Sequence, residues 1–340
     1  MVTISIGGNR FKIPSNAKAE NLITCLKEAK GRKCVCGKAA VYSRRQEGRA
    51  YCKDCFSYQI ERRFKRAVRK YGLIQKGDCV AVALSGSKDS SVLLYLLSEL
   101  SKAMPFGIVA ITADEGIRGY RPRGLKFARA LCMKLKIPHH TVSFKDQFGF
   151  TMDGLAKRLV TELPWCSWCG VLRRRALNNK ARELGCNKLA VGHTLDDEVQ
   201  SIMLGMIRGD RGQFSRLGFA SGTAKSEKWV QRIKPLREIP EAETALYALL
   251  HELPFSRIGC PHSSEVMRKH VRSFLNDMET RYPGTKHRIL RFYDKLRPII
   301  SDNSSQEVGS CRICGEPSSG NECRVCEMVA KAKGIPKSDF

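Results

Sequence analysis

From position 78 onward the apolar residues fall into an alternating rhythm. DCVAVAL (78–84), GIVAITAD (107–114) and HHTVSF (139–144) are short apolar runs, and between them DSSVLLYLLSELSKA (89–103) and LKFARALCMKLK (125–136) repeat apolar residues at helical spacing. A helix around 170–184, the strand NKLAVGH (187–193) and the helix DDEVQSIMLGMI (196–207) continue the plan. Strands alternating with helices of this length need right-handed crossovers, so the pattern predicts an α/β fold: a parallel twisted sheet with flanking helices. EAETALYALLHEL (241–253) and SEVMRKHVRSFLNDMETRY (264–282) read as helices packed outside that sheet. SYQIERRFKRAVRKYG (57–72) reads as a basic amphipathic helix bridging into the main domain, and SDNSSQEVGS (301–310) as a linker. The expected organisation is an N-terminal segment with a cysteine module (1–56), a main domain (57–300), the linker, and a C-terminal cysteine module with its tail (311–340).

Composition narrows the functional classes. The 340 residues are 42% hydrophobic and 27% charged, as in a soluble fold. No apolar run approaches the roughly 18 residues that span a bilayer, so no membrane partner is expected. MVTISIGGNRFKIP lacks the apolar core and cleavage site of an export signal, which makes the cytoplasm the expected compartment. Disulfides are rare there, so fifteen cysteines point to metal or thiol chemistry. Sixty Lys and Arg against thirty-three Asp and Glu leave a net charge of +27, concentrated in RRFKRAVRK (62–70), RGYRPRGLK (118–126) and LRRRALNNKAR (172–182). Such a field attracts polyanions, and nucleic acid is the expected partner.

The cysteines sort by spacing. CRICGEPSSGNECRVC (311–326) pairs Cys311 with Cys314 and Cys323 with Cys326, two C-x2-C knuckles that supply four thiolates to a structural Zn²⁺. At the other end Cys52 and Cys55 form a C-x2-C while Cys34 and Cys36 are one residue apart; a second zinc is expected, with Cys25 as an alternative ligand. Both modules would present basic surface to RNA. PWCSWCG (164–170) holds Cys166 and Cys169, two ligands only, so a metal there needs another; Cys260, in IGCPHSS, is the candidate. Cys79, Cys132 and Cys186 fall inside apolar patterns and read as buried small hydrophobes. Two other readings of the middle pair compete: a persulfide carrier, because C-x2-C pairs lower a thiol pKa, and two cysteines packed without a role between Trp165 and Trp168.

The strand at 78–84 runs straight into SGSKDSSVLL (85–94). Free N–H groups and the positive end of a helix following a strand make a phosphate seat, to which Ser85, Ser87 and Ser90 add hydroxyls. The sequence is not the GxxxxGK[ST] loop. Further on, VGHTLDDEVQSIMLGMIRGD (191–210) repeats the arrangement, with Asp196 and Asp197 at a helix start. These acids read either as caps or as groups that hold Mg²⁺ and handle protons.

SGSKDS resembles the SGGxDS loop of the ATP-pyrophosphatase (PP-loop, Rossmann-like) superfamily, with Ser87 where the second glycine usually stands. GHTLDDE resembles the second signature of that superfamily's tRNA-thiolating branch, of the archaeal and eukaryotic cytoplasmic type. DEGIRGYR (114–121) and KPLREIPEAETALYA (234–248) are further stretches of it, so the likeness covers about 31–330. The resemblance implies a tRNA uridine 2-thiolase. ATP with Mg²⁺ would bind at Ser85, Gly86, Ser87, Asp89, Ser90, Gly192 and Asp196; uridine O2 would be adenylated, with Asp197 and Asp89 acting on metal, substrate and protons. Cys166, Cys169 and Cys260 would hold a [4Fe–4S] cluster whose open iron carries sulfide. CGVLRRRAL (169–177) has Arg173 where relatives that modify uridine 54 have lysine, which favours the wobble uridine 34; Arg173, Arg174 and Arg175 would meet the tRNA. The sulfur donor would be free sulfide or a ubiquitin-like thiocarboxylate, and the terminal ribbons could join a homodimer. Alternatives of other classes are an amidotransferase or lysidine-type ligase with the same loop, and a zinc-ribbon RNA binder without catalysis.

Overall fold

The computed structural model describes residues 2–6, 9–13, 20–161, 163–210, 212, 214, 217–218, 220–221, 228–263, 266–301 and 309–335. A hairpin of β1 (Val2–Ile6) and β2 (Asn9–Ile13), which the sequence pattern did not announce, and helix α1 (Glu20–Glu28) come first. They precede an antiparallel pair, β3 (Tyr42–Arg44) and β4 (Arg49–Tyr51). Next come α2 (Lys53–Lys70), β5 (Cys79–Ala83), α3 (Lys88–Ala103), β6 (Gly107–Asp114), α4 (Arg121–Leu135) and β7 (His139–Ser143). Two short helices, α5 (Phe144–Phe148) and α6 (Met152–Arg158), lead to α7 (Trp165–Glu183), β8 (Lys188–Ala190) and α8 (Leu195–Ile207). Then follow β9 (Ala220–Ser221), β10 (Gln231–Ile233), α9 (Glu241–Leu250), α10 (Val266–Arg281) and α11 (Thr285–Ser301), and finally β11 (Gly309–Ser310), β12 (Pro317–Ser318) and α12 (Arg324–Lys333).

The central sheet has the order β7-β6-β5-β8-β10-β9. Five strands are parallel, as the alternation predicts, and β9 adds an antiparallel edge. β5 is buried on both faces: Val80, Ala81 and Val82 are fully enclosed, which is why it reads as a continuous apolar run. One face packs on α3 through Val92, Leu93, Leu96 and Leu97. Leu246 and Tyr247 of α9 join that cluster, so α9 packs against α3 outside the sheet, as expected. The other face packs on Trp168, Leu172 and Ala176 of α7.

The terminal modules are fused to this body. Phe56, Ile60, Phe64 and Ala67 recur at helical spacing on α2 and enter the core, so the expected boundary at 56 falls inside a continuous helix. The fully buried Arg44 of β3 meets Glu243 of α9 at 2.7 Å. At the other end Met328 and Ala332 of α12 complete the cluster around Trp168. Residues 302–308 of the expected linker lie outside the described residues. Cys132 is buried as expected, but Cys79 and Cys186 are not separate fillers; their sulfurs face each other at 2.9 Å where β5 begins and the chain enters β8. Among the described residues no helix is long and apolar enough to cross a membrane.

Candidate active site and metal centres

The strand order reverses direction between β5 and β8: successive crossovers run from β5 to β6 and β7 on one side, and from β8 to β10 on the other. The crevice beyond the carboxyl ends of such a strand pair is where open α/β sheets bind ligands. SGSKDS leaves β5 there and GHTLDD leaves β8. Two glycines make the loops fit. Gly86 has φ +77°, and a Cβ on it would stand 2.2 Å from the Gly124 carbonyl oxygen of α4. A Cβ on Gly192 would stand 3.0 Å from Ser90 N and 3.1 Å from Asp89 C, so the β8 loop rests on the first turn of α3. Gly124 itself, missed in the sequence, accepts the same crowding against Ser85 O.

The three serines form one cluster. Ser85 Oγ donates to Ser87 Oγ at 2.9 Å and lies 3.2 Å from Ser90 Oγ, which is 3.3 Å from Ser87 Oγ. Ser87 is the N-cap of α3 with an extended φ of −83°, a conformation open to any L-residue, so serine fits there without strain. Three hydroxyls at a sixteen-residue helix N-terminus are a ready-made anion seat.

Acids line the same crevice. Lys88 Nζ meets Asp89 Oδ2 and Glu241 Oε1, each at 2.8 Å, and Thr244 Oγ1 donates to Asp89 Oδ1 at 2.5 Å. Burial pushes the Asp89 carboxyl up to about 6 against the pull of Lys88, with Glu241 and Asp197 adding to the rise. Asp197 Oδ2 accepts from both Thr194 N and Thr194 Oγ1 at 3.0 Å, closing a capping box at the start of α8. Asp196 departs from the sequence expectation of an ATP or Mg²⁺ ligand. Its Oδ2 accepts from Glu241 N at 2.6 Å and its Oδ1 is paired with Lys286, so it is turned into the scaffold, where it caps α9. Its neighbour Glu198, unremarked in the sequence, is buried against Lys234 Nζ (2.7 Å) and Arg237 Nε (3.0 Å). Against the cost of burial, His193, Lys234 and Arg237 hold that carboxyl well below the usual range.

The middle cysteines sit on α7, which begins at Trp165, five residues before the predicted start. Cys166, Cys169 and Arg173 therefore share one helical face at i, i+3 and i+7. Trp168 turns into the core, 1% exposed, so the cysteines are not sandwiched between the tryptophans. Cys260 comes to the same place: with Cys169 it packs on the core cluster around Trp168, and Cys166 Sγ donates to His262 O at 3.6 Å. Burial pushes the Cys169 thiol up to about 11 and raises Cys260. Three thiols converge here without gathering as tightly as the two four-cysteine groups, whose sulfurs all lie within 4.8 Å of one another. A multi-iron cluster holds its thiolates farther apart than one ion does, so the donor set fits it.

A charged bridge connects the two half-sites. Arg121 Nη1 donates to Ser85 O at 3.1 Å; the same guanidinium pairs with the buried Glu115, whose other oxygen lies 3.5 Å from Arg173 Nη1. Glu115 and Arg121 both come from DEGIRGYR, so that stretch serves as a strut between phosphate loop and thiols. Arg174 is exposed beside them. Arg175 departs from the expected tRNA contact: its guanidinium donates to Cys314 Sγ (3.6 Å) and Cys323 Sγ (3.5 Å), docking the C-terminal ribbon on α7.

Both terminal sites are assembled. Cys34, Cys36, Cys52 and Cys55 form one group and Cys311, Cys314, Cys323 and Cys326 the other. Within each group the shared proton sites split: against burial, backbone N–H donors bring Cys34 down to about 7 and Cys311 to about 6, while Cys52, Cys55, Cys323 and Cys326 are raised. Cys25 stays apart, its thiol pushed up to about 11 by burial. A tight four-thiol group with sulfurs this close suits a single tetrahedral ion such as Zn²⁺.

Residues 56–279 match the model of the PP-loop domain. A probable sulfurtransferase of Methanocaldococcus jannaschii is 37% identical over 89% of this chain and 88% of its own length. The tRNA 2-thiolation protein NcsA of Haloferax volcanii is 33% identical over 88% and 98%, and the cytoplasmic tRNA 2-thiolation protein 1 of Danio rerio 31% identical over 88% of each. Among solved structures, the U34-tRNA thiolase NcsA from Methanococcus maripaludis with its [4Fe-4S] cluster superposes with a TM-score of 0.78 at 37% identity, covering 90% of this chain and 97% of that one. The chain belongs to the PP-loop family and, within it, to the tRNA 2-thiolation enzymes.

Proposed function

We propose that this protein makes 2-thiouridine at the wobble position 34 of cytoplasmic tRNA, using ATP to activate the uracil O2. The observation that carries this reading is the Ser85–Arg121–Glu115–Arg173 bridge, which ties a phosphate seat to a three-thiol centre within one crevice. The hydroxyls of Ser85, Ser87 and Ser90 and the N-terminus of α3 would receive the phosphates. Asp89 and Asp197 would hold Mg²⁺ against them, one or two carboxylates plus phosphate oxygens being its usual company. O2 then attacks the α-phosphorus and pyrophosphate leaves, which converts a poor leaving group into AMP. A [4Fe–4S] cluster on Cys166, Cys169 and Cys260 would leave one iron without a protein ligand and so supply a place for the incoming sulfide. Arg173, fixed by Glu115, would set positive charge beside the base as sulfur replaces oxygen at C2, and Arg174 would meet the backbone. Free sulfide or a thiocarboxylate carrier would supply the sulfur, and the zinc ribbons would shape the protein.

The test is pyrophosphate release and mass-spectrometric mapping of tRNA after incubation with ATP and sulfide under strict anaerobiosis. One 2-thiouridine at position 34 per pyrophosphate is the expected result. ATP cleavage without tRNA, or thiolation confined to position 54, would overturn it.

A further inference from the structure

Cys260 lies on a stretch, 251–263, with neither helix nor strand. A ligand on irregular chain must be held by specific ties, because no helix or sheet orders its backbone and that ordering costs conformational entropy. At the nucleotide end of this stretch, Ser91 Oγ donates to Pro254 O at 3.0 Å and Ser256 N to Gly86 O at 2.8 Å. At the thiol end His262 Nε2 meets Asp153 Oδ1 at 2.7 Å. Asp153 is itself braced. Its Oδ2 accepts from Arg118 N at 2.9 Å, its helix is capped by Thr151, and Met152 N donates to Glu115 O at 2.8 Å while Met152 and Leu155 are buried.

We propose that Asp153 is a positioning residue for the sulfur centre: through His262 it latches the Cys260 segment so that the third thiol stands opposite the pair on α7. The latch rests on the reading of Cys166, Cys169 and Cys260 as cluster ligands. It is a hydrogen bond between two groups that touch no substrate, and it fixes a ligand from outside the ligand set. Losing such partners weakens metal retention by about 10- to 100-fold.

The experiment uses the full chain purified without oxygen, as wild type, Asp153→Ala, His262→Ala, the double variant, His262→Gln and Cys260→Ala. Iron and zinc per chain, the rate of iron loss to a chelator, and the melting temperature are measured. Asp153→Ala and His262→Ala should each release iron about 10- to 100-fold faster with zinc unchanged. The double variant should be no worse than the poorer single, since both remove one interaction. His262→Gln, whose amide can donate to Asp153, should restore retention. Wild-type retention in both single variants, additive losses in the double, or failure of His262→Gln to recover what His262→Ala loses would overturn the latch. If Asp153→Ala does not fold, the His262 variants, altered on irregular chain, decide alone. Iron kept in Cys260→Ala would overturn the cluster reading itself, whereas iron lost there but kept in Asp153→Ala would remove the latch only.

Discussion

Asp196, Asp197 and Glu198 are three consecutive acids with three different duties. Helical geometry turns each about 100° from the last, so one faces the scaffold, one the crevice and one a buried pair of cations. Asp197→Asn keeps an oxygen for the Thr194 cap but loses the charge. Pyrophosphate release should fall by at least about 100-fold while the melting temperature stays near wild type. A large loss of stability with little loss of rate would return Asp197 to a purely capping role. Glu198→Gln removes the carboxylate that pairs with the buried Lys234, leaves Arg237 with Asp294 as its remaining acid, and should cost about 3–5 kcal/mol in urea unfolding. The sign with pH follows from the depressed carboxyl. Its folded pKa lies below the unfolded one, so the contribution is fully present above the ordinary carboxylate range and is lost as pH falls toward the folded value. Wild type should therefore lose stability in acid more steeply than Glu198→Gln, and parallel acid titrations of the two would contradict the assignment. For Asp89, held near 6, the rate of ATP cleavage should rise between about pH 5 and 7 as the carboxyl ionises to hold Mg²⁺.

At the level of elements, legibility followed a visible switch of apolar period and not length alone: the seventeen-residue α11 was not announced, whereas the three-residue β8 was read inside the longer run NKLAVGH. β5 to β7 with α3 and α4 were readable because their apolar period switches between strand and helix over five or more residues each. β9 and β10, of two and three residues, carry too few positions to show a period. The start of α7 was hidden because its first turn is Trp-Cys-Ser-Trp-Cys, whose residues are chosen for core and sulfur instead of helical propensity. Both four-cysteine ribbons were legible from spacing, since the ligand geometry of a single ion fixes it. The roles of Asp196 and Arg175 were not, because each depends on a partner some 45 and 139 residues away. Arg175 and Arg182 do stand two turns apart on one face of α7 and both approach Glu316, so a stripe was present without its partner. From this docking, Cys311→Ala should remove one zinc, loosen α12 and lower the melting temperature, with weaker tRNA binding in gel shift at fixed salt. Unchanged melting would mean that α12 holds without its metal.

For the whole molecule, the charge of +27 is concentrated in the basic runs 62–70, 118–126 and 172–182. Binding to tRNA should weaken steeply with salt, log K falling linearly with log salt concentration; a flat dependence would show that phosphate contacts do not carry the affinity. On the proposed reading the metals divide by role. Four-thiol groups at the ends brace the body, and three convergent thiols in the middle leave room for chemistry. That division is tested most directly by iron, acid-labile sulfide and zinc content of protein purified without oxygen, with Cys166→Ala and Cys260→Ala beside it. The account predicts about four irons and two zincs per chain in wild type, with iron lost and zinc kept in both variants. Zinc alone in the wild-type protein, or iron that survives both substitutions, would contradict it.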